Sequence, residues 1–241
     1  GQKIFKILKV LRKFLINEQK CVRLLLEENG QRILRKFKNS KKKFIYLISP
    51  NLINNSYFFT ELEEIFKTKK IFFFQLRLKT TPKRKILSFA RKIQKICNKY
   101  KVKFIINDDP FLAKQINADG CHIGQKDIDI QEARRVLRQK IIGVTCHNSK
   151  KLIKKAIQNK ADYIAIGAFF SSKTKKTKFR ANIDLIKYAK KIAKIPVIAI
   201  GGIKQSNYKK LLLNKANFLA ISGYIWNNKK YKPQEAIEKL K

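Results

Sequence analysis

The sequence predicts an α/β fold, a single (β/α)₈ barrel preceded by a helical extension at the N-terminus. From residue 44 onward, short runs of β-branched and aromatic residues alternate with longer Lys-rich segments of helical periodicity, which is the pattern of a parallel sheet. Eight such runs fill about 200 residues, the compact end of the range for a TIM barrel. A doubly wound open sheet is the alternative, and the barrel is favoured because the eight units leave no second lobe.

The predicted strands are short and fairly evenly spaced. They comprise residues 44–48, 71–76, 104–107, 120–124, 141–145, 163–167, 197–201 and 218–222. The segment after the second strand shows the helical pattern clearly, with apolar residues at Ile86, Phe89, Ala90, Ile93 and Ile96 and basic residues on the other face. We therefore expect each intervening helix to bury one face against the strands.

The first 43 residues stand outside this repeat. Ile4, Ile7, Leu8, Leu11 and Leu15 form an apolar stripe flanked by lysines and arginines. Packing against the barrel is favoured over a membrane-surface helix or a mitochondrial transit peptide, because most amphipathic helices bury their apolar face within their own protein. The predicted parts are a basic amphipathic helical extension over residues 1–43 and the barrel domain over residues 44–241.

The composition is strongly basic, with 57 Lys and Arg against 16 Asp and Glu and a formal net charge of +41. Such a charge is compatible with binding to nucleic acid or to anionic lipid. The lysines are spread over the whole chain, however, so we favour a compositional bias and expect no specific nucleic-acid partner. The longest apolar runs are far shorter than the roughly 20 residues that a membrane-spanning helix needs, so none is predicted.

The four cysteines are Cys21, Cys97, Cys121 and Cys146. They form no C-x-x-C pair and no cluster with metal-ligand spacing, so neither a zinc site nor a disulfide framework is predicted. Free thiols suit a reducing compartment, and we expect a cytoplasmic protein. The sequence leaves a homo-oligomer open.

Polar residues or glycines occur at the carboxyl ends of the second to eighth predicted strands. In a parallel barrel, the catalytic residues lie at this end of the strands. These strand-end segments are Gln75-Leu76-Arg77-Leu78-Lys79, Asn107-Asp108-Asp109, Gly124-Gln125-Lys126-Asp127, Thr145-Cys146-His147, Ser171-Ser172-Lys173-Thr174-Lys175, Gly201-Gly202 and Ser222-Gly223. Because all parallel strands end on the same side, we expect these cations, carboxylates and glycines to converge on one rim.

Asp108 and Asp127, on neighbouring strand ends, have the number and chemical type of ligand for a Mg²⁺ ion that takes its other ligands from water and substrate phosphate. The alternative is that each aspartate caps the helix that follows it. Together with Arg77, Lys79 and Lys175, the carboxylates predict a diphosphate site, since a leaving group with several negative charges needs metal and cations where charge develops.

Two glycine-containing strand ends, Gly201-Gly202 and Ser222-Gly223, occupy the positions where many barrels bind phosphate through backbone N–H groups. A tight turn that needs φ > 0 explains an isolated Gly-Gly equally well. The hydroxyls of Ser172 and Thr174 are candidate further donors, although such runs are also ordinary loop composition. Two separate anion sites on one rim predict two phosphorylated substrates.

Taken in order, the motifs Q-L-R-x-K, N-D, A-D-G-x-H-x-G-Q-x-D, [S/T]-x-T-K and A-I-G-G-I resemble those of the thiamine phosphate synthase family. The resemblance covers about residues 44–225. Its most specific part is the stretch 118–127, whereas Ala-Ile-Gly-Gly-Ile occurs in several phosphate-binding barrels.

The resemblance implies a transferase of thiamine biosynthesis that joins an aminopyrimidine diphosphate to a thiazole phosphate with the help of Mg²⁺. In the family, diphosphate leaves first and the thiazole nitrogen captures the resulting pyrimidine methyl cation. The resemblance implies that Asp108 and Asp127 hold Mg²⁺, with catalytic contributions from Arg77, Thr145 and Lys175. The implied substrate-binding residues are Gln75, Arg77, Lys79, Asn107, Thr145 and Lys175 for the pyrimidine diphosphate, and Ser172, Thr174, Gly202, Ile221 and Ser222 for the thiazole phosphate.

Two departures from the family pattern lie at the rim. Thr145 stands where serine is usual, which keeps a hydroxyl but adds a methyl group, and Asp109 stands where arginine commonly follows N-D. One alternative function is a thiazole tautomerase that shuttles a proton with His147. Another, of a different class, is a barrel that binds polyanions without catalysis.

Overall fold

The computed structural model of the chain describes residues 43–53, 57–171 and 179–241. Its eight strands form a closed barrel in sequence order, with every neighbouring pair parallel. They are β1 (Ile45–Ile48), β2 (Ile71–Leu76), β3 (Lys103–Asn107), β4 (Gly120–Ile123), β5 (Ile141–His147), β6 (Tyr163–Gly167), β7 (Val197–Ile200) and β8 (Phe218–Ile221). All eight predicted strands are therefore confirmed, with ends that differ by at most two residues.

Helices follow the strands in alternation. In the described part of the chain they are α1 (Tyr57–Lys67), α2 (Lys83–Tyr100), α3 (Pro110–Gln115), α4 (Ile130–Leu137), α5 (Lys150–Gln158), α6 (Ile183–Ile192), α7 (Tyr208–Leu213), α8 (Gly223–Trp226) and α9 (Pro233–Glu238). Helix α2 buries Ala90, Ile93 and Ile96 and leaves its lysines outside, as its periodicity predicts.

Pairing of the first and last strands closes the sheet. Tyr46 of β1 lies opposite Phe73 on one side and opposite Ala220 of β8 on the other. The open-sheet alternative is therefore wrong. Since side chains alternate along each strand, half of them point into the barrel and half toward the helices.

The barrel interior is filled largely by aromatic rings. Tyr46 and Tyr163 belong to strands that are not neighbours, yet their ring centroids lie 5.8 Å apart, so this contact crosses the interior. Phe73 contacts both tyrosines, and Phe218 packs against Phe73. A side chain on Gly143 would overlap the ring of Tyr163, so glycine leaves the space that this ring occupies.

Several helices begin at a residue whose side chain accepts a backbone N–H of the first turn. Ser149 caps α5 and Asn182 caps α6 in this way. In these helices, a local hydrogen bond therefore fixes the residue at which the helix begins.

Residues 1–42 lie outside the described residues, so the helical extension and the predicted division at residue 43 stay predictions. Among the described residues, no helix is long and apolar enough to cross a membrane. Cys97, Cys121 and Cys146 are buried free thiols.

Candidate active site

The predicted site residues of the described segments lie in the last residues of six strands or in the loops that follow them, and therefore belong to one end of the barrel. These residues are Gln75, Arg77, Lys79, Asn107, Asp108, Asp127, Thr145, Gly202, Ile221 and Ser222. Ser172, Thr174 and Lys175 lie outside the described residues.

The ends of β3 and β4 bring two carboxyl groups together. The Asp108 carboxylate lies 3.1 Å from the Lys79 Nζ, and the Asp127 carboxylate accepts the Gly124 N–H at 2.7 Å. Burial and the neighbouring Asp108 carboxyl raise the pKa of Asp127, while the Gly124 N–H and Lys79 counteract the rise. A cation between the carboxyl groups would relieve their repulsion.

The backbone at Asp108 is unusual for a residue with a side chain. Its φ is +64°, and its N–H donates to the His122 carbonyl oxygen at 2.8 Å. Asp residues adopt this left-handed conformation more readily than most. This hydrogen bond to β4 fixes the position of the Asp108 backbone at the end of β3.

The capping alternative is wrong for both proposed metal ligands. Asp109 caps α3, accepting the Leu112 N–H at 2.9 Å, and Asp129 caps α4, accepting the Gln131 N–H at 2.8 Å. Each cap therefore lies one or two residues beyond the carboxylate that the sequence singled out, and Asp108 and Asp127 face other partners.

A serine that the sequence did not single out joins the ends of β1 and β2. The Ser49 hydroxyl accepts the Arg77 N–H at 2.9 Å, and the Ser49 carbonyl oxygen accepts the Ser222 hydroxyl at 3.1 Å. The Arg77 guanidinium lies 3.3 Å from the Asn51 Oδ1. Ser49 is a buried polar residue directly after a strand, and that position is the signal that could have identified it.

Gln75 lies inside the barrel and not on its rim. Its side chain is 3 % exposed and donates from Nε2 to the Tyr46 Oη at 2.9 Å. Thr145 is half-buried, and its hydroxyl lies 2.8 Å from the His122 Nε2. The sequence did not identify these contacts, because periodicity does not show which side chains meet inside the closed barrel.

The Gly-Gly sequence after β7 forms a tight turn. Gly201 and Gly202 have φ values of +104° and +62°, and a side chain on Gly202 would overlap the Ser171 carbonyl oxygen. The turn interpretation is therefore confirmed. Phosphate binding at the same backbone stays a prediction, and the two interpretations are compatible.

The described residues on either side of segment 172–178 are held close together. The Arg180 Nη2 donates to the Ser171 hydroxyl at 2.7 Å, and the Ala168 N–H donates to the Phe179 carbonyl oxygen at 3.2 Å. Both ends of the segment that carries Ser172, Thr174 and Lys175 therefore lie beside the end of β6.

Comparison with known proteins assigns the family. The family model described as thiamine monophosphate synthase matches residues 45–225. A thiamine-phosphate synthase of Pelagibacter ubique (strain HTCC1062) is 64% identical over 200 residues, which cover 83% of this chain and 97% of that protein. The chain belongs to this family. The predicted enzyme class, a transferase of the thiamine-phosphate synthase type in thiamine biosynthesis, is confirmed with it.

A more distant relative agrees with the thiamine monophosphate synthase family assignment, and a solved structure agrees with the fold. A thiamine-phosphate synthase of Rhodospirillum centenum (strain ATCC 51521 / SW) is 36% identical over 185 residues, covering 76% of this chain and 89% of that protein. The solved structure of thiamine phosphate pyrophosphorylase from Pyrococcus furiosus has a TM-score of 0.73 at 23% identity and covers 83% of this chain and 94% of its own. That structure supports the barrel fold.

The departure at Asp109 has a structural explanation in this member of the family. Its carboxylate is committed to the Leu112 N–H at the start of α3. Since Asp is among the best N-cap residues, the substitution stabilises the helix that follows β3. Asp109 is next to Asp108 in the chain, but its carboxylate faces the start of α3.

His147, the candidate of the tautomerase alternative, ends β5 with a φ of +49°. Its ring stacks on Phe179 with 4.2 Å between centroids. The strand continues through an irregularity between Thr145 and His147, so the predicted strand end at Thr145 was two residues short.

Proposed function

We propose that the rim of this barrel joins an aminopyrimidine diphosphate to a thiazole phosphate, forming thiamine phosphate and releasing diphosphate. One observation carries the proposal: two carboxyl groups, Asp108 and Asp127, meet beside Lys79 at the ends of β3 and β4. That corner suits a metal-bound diphosphate, and Arg77 follows β2 on the same rim.

Mg²⁺ fits this corner by its donor set. Carboxylate oxygens are its preferred protein ligands, and the pKa of Asp127 is raised first by burial and then by the neighbouring Asp108 carboxyl, whose charge a divalent ion would neutralise. No group of three or more His, Cys, Asp or Glu side chains suited to a metal occurs among the described residues. Two carboxylates leave positions for water and substrate phosphate, and the bound ion would stabilise the negative charge of departing diphosphate.

The protein's own residues would position the two substrates. Arg77 and Lys79 would pair with diphosphate oxygens, and Thr145 would donate a hydrogen bond to the same group. Asn107 would hold the pyrimidine together with Gln75. The glycine turn at Gly202, with the backbone at Ile221 and Ser222, would bind the thiazole phosphate, assisted by Ser172, Thr174 and Lys175.

Positioning and charge stabilisation would supply most of the rate enhancement. The reaction breaks a bond between carbon and a diphosphate oxygen and forms one to the thiazole nitrogen, so this scheme needs no general base. We further propose a cytoplasmic enzyme, as its small phosphorylated substrates suggest, and keep the homo-oligomer as a prediction.

The direct experiment mixes the purified chain with the aminopyrimidine diphosphate, the thiazole phosphate and Mg²⁺ and assays for thiamine phosphate by chromatography. We expect product, its loss with EDTA, and its recovery with added Mg²⁺. Failure to form thiamine phosphate when Mg²⁺ is present contradicts the proposal.

A variant of His147 separates the tautomerase alternative from the synthase. We expect His147→Ala to keep most of the synthase activity, because the proposed reaction uses no imidazole at this position. A loss of product with His147→Ala and its retention with Asp127→Asn would favour the tautomerase.

A further inference from the structure

Five side chains form a continuous hydrogen-bonded chain through the barrel interior. The Gln75 Nε2 donates to the Tyr46 Oη at 2.9 Å, and the Tyr46 Oη lies 2.8 Å from the Tyr163 Oη. The Tyr163 Oη lies 2.9 Å from the His122 Nδ1, and the His122 Nε2 lies 2.8 Å from the Thr145 Oγ1. We call this set the interior relay. It begins on β2 and reaches the rim at Thr145.

The relay is shielded from water along most of its length. Tyr46, Gln75, Tyr163 and His122 are 2 %, 3 %, 1 % and 9 % exposed, whereas Thr145 is half-buried. Burial raises the pKa of Tyr46 and of Tyr163, so both hydroxyls stay protonated and remain donors. Hydrogen bonds in such surroundings polarise one another.

Counting protons gives the relay a direction. An amide nitrogen only donates, so Tyr46 accepts from Gln75 and has one proton of its own to donate. The hydroxyl within hydrogen-bonding distance that can accept this proton is that of Tyr163, and the proton of Tyr163 then points to the His122 Nδ1. In a neutral ring, an accepting Nδ1 leaves the proton on Nε2.

The far end of the relay presents a hydroxyl proton to the rim. The His122 Nε2–H donates to the Thr145 Oγ1, so the Thr145 hydroxyl proton remains for another acceptor. The same residue is held a second time, because the Gln125 Nε2 donates to the Thr145 carbonyl oxygen at 2.5 Å. Thr145 is therefore fixed in position and its donor is directed.

We propose that the interior relay holds His122 as the neutral Nε2–H tautomer and that His122 is a positioning residue, which directs the Thr145 hydroxyl proton toward a phosphate oxygen of the pyrimidine diphosphate. The identity of that acceptor rests on the proposed function. The tautomer of His122 does not.

The tautomer can be measured without substrate. The chain has two histidines, so ¹⁵N NMR of the imidazole nitrogens, with His147→Gln for assignment, resolves the His122 ring. At neutral pH we expect a protonated Nε2 and an unprotonated Nδ1. Tyr163→Phe should weaken this preference, whereas Tyr100→Phe, which removes a hydroxyl bonded to Glu63 outside the relay, should not. A protonated Nδ1 in the wild-type ring overturns the proposal.

Kinetics test whether His122 acts through Thr145. We expect His122→Ala and Thr145→Ala each to lower kcat about tenfold or more, the cost of a lost hydrogen bond to a charged group. Because the two changes break the same contact, the double variant should be at most about twofold slower than Thr145→Ala. Losses that multiply in the double variant overturn the positioning role.

Conservative variants separate positioning from folding. His122→Gln keeps an Nε2 donor and should recover part of kcat relative to His122→Ala, and Thr145→Ser, which keeps the hydroxyl, should retain more of kcat than Thr145→Ala. The thermal unfolding midpoint of each variant shows whether it folds, and no recovery in a folded His122→Gln contradicts the proposal. If the wild-type chain forms no thiamine phosphate, the proposed function fails, while the NMR measurement still decides the tautomer.

Discussion

The two ends of the barrel use similar acidic residues in opposite ways. At the carboxyl ends of the strands, the carboxyl group of Asp127 lies beside that of Asp108, and burial and this neighbour raise the pKa of Asp127. At the other end, Asp119 and Asp162 directly precede β4 and β6, and each pairs with a cation. The first arrangement favours binding a cation, whereas the second forms ion pairs within the protein.

A local pattern is repeated at the amino-terminal ends of the strands. The residue before each of three even-numbered strands accepts the first or second backbone N–H of the preceding strand: Asp119 from Phe104, Asp162 from Ile142 and Asn217 from Val197, at 2.9, 2.7 and 2.9 Å. Each acceptor also contacts a basic side chain, with the distances Lys103–Asp119 2.7 Å, Arg134–Asp162 2.6 Å and Lys190–Asn217 3.1 Å. Satisfied acceptors of this kind stabilise the fold.

The largest expected effect is on the rim. Asp127→Asn should lower kcat by about 100-fold or more, because it removes a proposed metal ligand where charge develops, and should change the thermal midpoint little. Steady-state kinetics and thermal unfolding measure both. Asp129→Asn is the matched control, since asparagine caps a helix as well as aspartate does. Equal losses in the two variants would show that the rim assignment is wrong.

At the opposite end, Asp162→Ala should act on stability and spare catalysis. It removes the carboxylate partner of Arg134, which keeps its backbone carbonyl acceptors, and leaves the Ile142 N–H without its acceptor. The two losses should lower the free energy of unfolding by about 3 kcal/mol. Urea unfolding gives the change, and kcat per folded molecule should be unaltered. The exposed pair of Asp184 and Lys187 is the control, with an expected loss below about 1 kcal/mol for Asp184→Ala. If Asp162→Ala lowered kcat as much as Asp127→Asn does, the two ends of the barrel would not differ in the way described, one in catalysis and the other in stability.

The raised pKa of Asp127 predicts a pH dependence of metal binding. A proton competes with Mg²⁺ for this carboxylate, so lowering the pH through its raised pKa should weaken Mg²⁺ binding by up to about tenfold per pH unit. Calorimetry with diphosphate present measures the dissociation constant, and Mg²⁺ binding to free diphosphate in the same buffers is the control. If the dissociation constant of Mg²⁺ changed with pH equally with and without the protein, Asp127 would not be a Mg²⁺ ligand.

The smallest expected effect concerns Asp109. Asp109→Asn keeps the cap of α3 and removes the charge, so kcat should stay within about twofold of wild type. Asp109→Ala should instead lower stability by about 1 kcal/mol, the ordinary cost of a lost cap. A tenfold change in kcat with Asp109→Asn would show that the Asp109 charge acts at the proposed metal site of Asp108 and Asp127.

One stretch of sequence, residues 118–127, runs from the amino-terminal end of β4 to the rim. It contains Asp119 directly before β4, His122 in the interior relay and Asp127 beside Asp108 at the rim. The sequence identified the stretch and the role proposed for Asp127, but neither the pairing of Asp119 with Lys103 nor the relay through His122.

The sequence by itself determined the barrel, because alternating strand and helix patterns depend on residues close together in the chain. It also determined which residues follow the strand ends. The tertiary structure decided which polar residues meet. Tyr46 and Tyr163 are separated by 117 positions and are hydrogen-bonded across the interior. Asp108 and Asp109 are adjacent in sequence, yet one faces Lys79 and the other caps α3. Closing the sheet creates these contacts, and no local pattern encodes a partner on a distant strand.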